Sequence, residues 1–112
     1  MNEAVLDQAL LDELVARIAE AVKPEKIILF GSWARGDAGA ESDIDLFVQV
    51  ETGQNTRQVC AAAYAAIRPL YRRLARGVEV VVKDRAFVER YGDLVGTVVL
   101  DVLREGKVLY ER

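Results

Sequence analysis

The sequence predicts an α/β (α+β) domain, a small mixed β-sheet of three to four strands flanked by helices. Three observations point there. Helical and strand-like patterns alternate along the chain in the order α, β, short α, β, α, β, α. The runs KIILF, IDLFVQV and VEVVV have strand length and are bounded by turn or breaker residues. A chain of 112 residues that is 52% apolar and 29% charged is one domain, 1–112, with a single modest core that buries roughly two thirds of the unfolded surface.

The elements follow in order. Residues 4–22 place Leu6, Leu10, Leu14, Ile18 and Val22 at four-residue intervals, with Asp7, Asp12, Glu13, Arg17 and Glu20 largely elsewhere on the helical wheel. That is an amphipathic helix, which Lys23 and Pro24 end because proline biases the preceding residue away from helix. Lys26 to Phe30 is a buried strand closed by Gly31, and SWARG opens a short helical turn. Ile44 to Val50 is the second strand, set between GDAGAES and ETGQN. Thr56 to Ala75 spaces Val59, Ala63, Ala66, Ile67, Leu70 and Leu74 as a second long helix, which Pro69 should kink or break near Arg68. Gly77 reads as its stop. Val78 to Val82 is a β-branched third strand. Asp84 to Tyr91 is a short helix, and Leu94 to Arg104 a longer one with Val95, Val99, Val102 and Leu103 on one face. Gly106 ends it, and Lys107 to Tyr110 adds a final edge strand. No internal repeat is visible.

Composition excludes several function classes. A net charge of -3 and a pI near 5.0 argue against a protein that coats nucleic acid, which needs a basic surface. Only a localised basic patch stays open; Arg68, Arg72 and Arg76, with Arg73 beside them, form such a stripe on the second long helix. It is either a solvated face or a docking surface for an acidic partner or RNA. With no histidine and one cysteine, Cys60, a Cys/His zinc site and an intramolecular disulfide are both excluded. Catalysis without histidine must rest on carboxylates, metal ions, arginine or lysine. The amphipathic, acidic N-terminal segment is unlike a secretory leader, and no apolar run approaches the ~20 residues that span a bilayer. A cytoplasmic protein without membrane contact is expected.

The stretch LFGSWARGDAGAESDIDLFV holds the chemistry. Strand side chains alternate, so Asp43 and Asp45 project to one side, about 6.6 Å apart along the chain, while Ile44, Leu46 and Val48 face the other. Two carboxylates so close repel unless a cation lies between them. Hard oxygen donors suit Mg²⁺, which takes one or two carboxylates plus phosphates and waters. The alternative is a pair of aspartates guarding an exposed strand edge. Gly31 and Ser32 follow the first strand directly and would aim backbone N–H groups at a phosphate; alternatively Ser32 is only an N-cap and Gly31 only a tight turn. Arg35, one turn on, would hold a phosphate or pair with Asp37 or Glu41. Glu79 alternates with the valines of VEVVV, and would complete a three-carboxylate cluster if the third strand neighbours the second.

GSWARG followed by SDIDLFV, with ten residues between Ser32 and Asp43, resembles the glycine-serine and DxD signature of the DNA polymerase beta-like nucleotidyltransferase superfamily. The pattern GSxARGxxxxxSDIDLxV is similar to that of its minimal nucleotidyltransferase branch, and the resemblance runs through the third-strand acid to the C-terminal REGKVLYER. It implies a nucleotidyltransferase fold and transfer of a nucleotide from ATP or another NTP. Asp43, Asp45 and Glu79 would bind two Mg²⁺ ions, and Glu79 would take the proton from the attacking hydroxyl. Gly31, Ser32, Arg35 and Ser42 would contact the nucleotide, while Trp33, at a variable position of the motif, is assigned to packing. The superfamily usually carries a second domain for the acceptor or base, and this chain is too short for one. In the minimal branch a helical HEPN-type protein supplies the missing half, and the pair acts as toxin and antitoxin. The resemblance therefore implies a type VII-like antitoxin that transfers AMP to a HEPN-type toxin. The alternatives are an antitoxin or subunit that acts by binding alone, and nucleotidyl transfer to a small molecule. A homodimer or hetero-oligomer is compatible with so small a domain.

Overall fold

The structure, a computed structural model, describes residues 6–94 and 96–112. Asp7 caps α1 (Gln8–Val22), its carboxylate accepting the Leu10 N–H at 3.3 Å and so satisfying a donor that a helix start leaves free. Leu11, Leu14, Val15 and Ile18 are buried, with Leu6, Leu10 and Val22 packed at the margin. The helix starts later than its apolar spacing suggests, because aspartate serves better as a cap than inside a helix; Ala4 and Val5 lie outside the described residues. Lys23, in the left-handed region at φ 47°, ends it before Pro24.

β1 (Lys26–Phe30), β2 (Ile44–Val50), β3 (Val78–Asp84) and β4 (Lys107–Glu111) form one mixed sheet in the order β3-β2-β1-β4. β1 runs antiparallel to both β2 and β4, whereas β2 and β3 are parallel. Both parallel strands therefore begin at the end of the sheet where β1 finishes. The register pairs Asp45 with Phe30 on one side and with Glu79 on the other. The end of β1 and the starts of β2 and β3 thus meet at one place.

The alternation read from the sequence divides the core into two faces. Ile27, Leu29, Ile44, Leu46, Val48, Val80 and Val82 pack with α1 and with Val59, Ala63 and Ile67 of α3 (Thr56–Ile67). On the other face Ile28 and Phe47 pack with Val99 and Val102 of α6 (Val98–Glu105). Each valine, leucine, isoleucine or phenylalanine among them contributes about 1.5–3 kcal/mol when fully buried. Also on the α3 side, Tyr64 accepts the Val80 N–H at 2.9 Å and the Cys60 thiol donates to the Val80 carbonyl at 3.7 Å. Both bonds cover the outer backbone of edge strand β3.

Several expectations need correction. The second long helix is broken, as Pro69 implied: α3 gives way to a 3₁₀ turn at Arg68–Leu70 and then to α4 (Tyr71–Leu74). Its stop, however, is Ala75, left-handed at φ 53°, and Gly77 has no positive φ. The arginine stripe is accordingly not one helical face. Arg73 bonds Glu13, and Arg76 lies beyond the helix end with its guanidinium over the Trp33 ring. Finally, α6 starts at Val98 and not at Leu94, since Gly96 takes φ 91° and the Thr97 hydroxyl caps the helix by accepting the Leu100 N–H at 3.3 Å. Val95 lies outside the described residues. β3 runs two residues past Val82 to Asp84, which caps α5 (Arg85–Tyr91) by accepting the Phe87 N–H at 2.9 Å. Among the described residues no helix is long and apolar enough to cross a membrane.

Candidate active site

Gly31 joins β1 to the helical turn α2 (Ser32–Arg35) and occupies its N-cap position at φ 74° and ψ -154°. A side chain there would be strained, and a Cβ would also overlap Asp45 Oδ2. Gly31 is therefore needed twice, for the turn and for the carboxylate that lies against it. No side chain caps α2, so Ser32 is its first residue and not its cap. Gly77 plays the corresponding part for the other aspartate: a Cβ on it would stand 2.7 Å from Asp43 Oδ1 and 3.0 Å from its carboxyl carbon. Its carbonyl accepts the Ile44 N–H at 2.9 Å, which holds the start of β2 beside the start of β3. Sequence reading assigned Gly77 to helix termination and missed this contact, which depends on a residue far away in the chain.

Asp43, Asp45 and Glu79 thus stand at the end of the sheet where the glycine-serine turn begins, Asp45 and Glu79 side by side on adjacent strands. Asp43 and Glu79 are exposed and Asp45 is half-buried. Burial, then the negative charges of Glu79 and Asp43, push the Asp45 carboxyl above the usual range, with Arg35 opposing weakly. Concentrated negative charge of this kind fits a hard divalent cation. Among the described residues no three acid or thiol side chains close into a ready-made ion site. An incomplete set of carboxylates suits a metal that keeps waters and shares phosphate oxygens with its substrate.

Two other expected nucleotide contacts are occupied within the protein. The Arg35 guanidinium pairs with Asp37 at 3.2 Å and with Glu105 at 3.4 Å, and these bonds raise its pKa. At 44% exposure the pairs are weak enough to be exchanged for a phosphate. The Ser42 hydroxyl accepts the Gly39 N–H at 2.8 Å, closing the loop before β2, and the Ser42 carbonyl accepts the Trp33 indole N–H at 3.0 Å. Ser42 shapes the approach to Asp43.

Comparison with known proteins places the fold. No curated protein matches the chain. Among solved structures, a Sulfolobus solfataricus protein assigned as a nucleotidyltransferase is 23% identical, with 93% of this chain and 79% of the other aligned at a TM-score of 0.56. A toxin-antitoxin structure with AMP-PNP is 22% identical over 90% of this chain and 73% of that one, at 0.58. A tyrosine-to-alanine variant of the MntA-HpeT toxin-antitoxin is 24% identical over 96% and 75%, at 0.59. At these identities the structures share the fold. The family described as polymerase beta, nucleotidyltransferase matches residues 12–112, from the first helix through the last strand and across the whole carboxylate end of the sheet. The chain is a member of the polymerase beta nucleotidyltransferase family.

Proposed function

We propose that the protein is a Mg²⁺-dependent nucleotidyltransferase that moves AMP from ATP to a hydroxyl of a helical toxin partner of the HEPN type, and so acts as its antitoxin. The observation that carries the reading is the meeting of Asp43, Asp45 and Glu79 with the Gly31-Ser32 turn at one end of the sheet. Asp43 and Asp45 would hold the metal, with Glu79 as a further ligand. When bound, Mg²⁺ neutralises the triphosphate and polarises the reacting phosphoryl group. The turn at Gly31 and Ser32 would receive the β and γ phosphates, and Arg35 would leave its surface acids to join them.

In the reaction the acceptor oxygen bonds to the α-phosphorus, the bond from that phosphorus to the bridging oxygen breaks, and pyrophosphate departs with the electron pair. The proton lost by the hydroxyl passes to Glu79, an exposed carboxylate beside Asp45. Support for adenine and for a toxin partner comes from the similar toxin-antitoxin folds, one of them holding AMP-PNP. Calorimetry of ATP binding separates catalysis from action by binding alone. Uptake of ATP that requires Mg²⁺ and is lost in the Asp43→Ala, Asp45→Ala double variant is expected. A wild-type protein that binds the partner but takes up no ATP with Mg²⁺ would refute the enzyme reading.

A further inference from the structure

We propose that Trp33 and Arg76 form a clamp that holds the glycine-serine turn in register with the Asp43 carboxylate, so that triphosphate and metal are taken up as one unit. The proposal rests on the nucleotidyltransferase reading above. The turn and the aspartates are joined along the chain only by residues 36–43, which lie outside helix and strand and include Gly36 at φ 86°. The ladder pairing of Phe30 with Asp45 holds the start of the turn against β2, but such a loop does not fix Ser32 and Trp33 relative to Asp43. The Trp33 indole bridges it. Trp33 follows Ser32, and its N–H donates at 3.0 Å to the carbonyl of Ser42, the residue before Asp43.

Arg76 supports the bridge from a third element. Its guanidinium lies 4.8 Å from the Trp33 ring centroid, and the next residue is Gly77, whose carbonyl binds Ile44 and whose Cα faces Asp43. One pair of side chains thereby connects the phosphate turn, the start of β2 and the start of β3. The guanidinium makes a poor set of hydrogen bonds for an arginine. Nε donates to the Leu74 carbonyl at 3.3 Å, while Nη1 is buried with no partner. Burying an unpaired donor is unfavourable, so the arginine's contribution lies in its cation–π contact with the indole, for which a guanidinium suits better than a flexible ammonium. With one ring face taken by Arg76 and the N–H committed to Ser42, Trp33 is a positioning residue and not a platform for the base.

Two variants test this. Trp33→Phe keeps an aromatic ring but removes the N–H, and Arg76→Lys keeps the charge but removes the guanidinium that lies over the ring. In metal-free protein, hydrogen exchange in both variants should quicken together in residues 32–36 and 42–45 and stay unchanged in α1 and α3. By calorimetry with ATP, first in EDTA and then with MnCl₂, the factor by which Mn²⁺ tightens ATP binding should fall about fivefold, the equivalent of one hydrogen bond of ordinary net strength. Affinity for ATP in EDTA should hardly change. Unaltered exchange in the two segments refutes the clamp, and so does quickened exchange with the wild-type Mn²⁺ factor. A wild-type protein that binds neither ATP nor Mn²⁺ refutes the nucleotidyltransferase reading, and with it the joint uptake of metal and triphosphate.

Discussion

Gly31 and Gly77 lie one against each aspartate of the DxD pair, and they constrain the site differently. Gly31 is fixed by its positive φ as well as by contact, so substitution there would disturb turn and carboxylate together. Gly77 is fixed by the Asp43 carboxylate alone. Gly77→Ala should therefore keep a melting temperature close to wild type while displacing Asp43, and lower transfer activity by about tenfold, the cost of roughly 1.4 kcal/mol in the transition state. Activity equal to wild type would show that the contact is incidental. Asp45 makes a prediction in the opposite direction. Its carboxyl is pushed up in the folded protein, so the folded state binds the proton more tightly and stability falls as pH rises from the ordinary aspartate range through the raised value. Asp45→Asn should leave stability unchanged below that range and, above it, raise the metal-free protein by about 0.5 kcal/mol, a small figure because the site is partly solvated. Added Mg²⁺ should shrink the difference; a destabilised variant at neutral pH would contradict the electrostatic account. Asp43 and Asp45 were paired from the sequence because alternation along a strand would aim both to one side; Asp45 lies in β2, and Asp43 precedes its first residue. The role of Gly77 was not legible, because it arises from a tertiary contact that no local pattern records.

Among the elements, boundaries were set by caps more than by hydrophobic spacing. Asp7 and Thr97 each start a helix where the apolar pattern alone would have begun it earlier. Pro69 announced the break between α3 and α4 because its effect is local and steric. Ala75 was illegible, since nothing in its type signals a left-handed backbone. It adopts φ 53° because the chain must reverse from α4 into β3, and an L-residue there is strained. Ala75→Gly should relieve that strain, partly offset by glycine's greater freedom in the unfolded chain. A net gain of about 0.5 kcal/mol, or about 2–4 °C in melting temperature, is expected from thermal unfolding. A fall in melting temperature would mean that the alanine methyl packs usefully. The strands were read more accurately than the helices: IDLFVQV coincides with β2, and KVLY forms the edge strand β4, extended by Glu111. Their alternation reports directly on the two faces of a sheet.

For the molecule as a whole, one topological fact organises the site. β1 is antiparallel to β2 and β3 is parallel to β2, so one strand end and two strand starts meet, bringing together residues from Gly31 to Glu79. The sequence implied the small mixed sheet and named the three acids, but it left the adjacency of β2 and β3 conditional, because strand order is decided by long-range packing. The register of Asp45 opposite Glu79 supplies it. The claim that this assembly transfers a nucleotide, and not a phosphoryl group, is tested most directly with ATP labelled at either the α or the γ phosphate. Protein, Mg²⁺ and a candidate helical partner of the HEPN type are incubated with each form. The α-label should become covalently attached to the partner, the γ-label should not, and the Asp43→Ala, Asp45→Ala double variant should attach neither. Transfer of γ-label, or of α-label by the double variant, would contradict that claim.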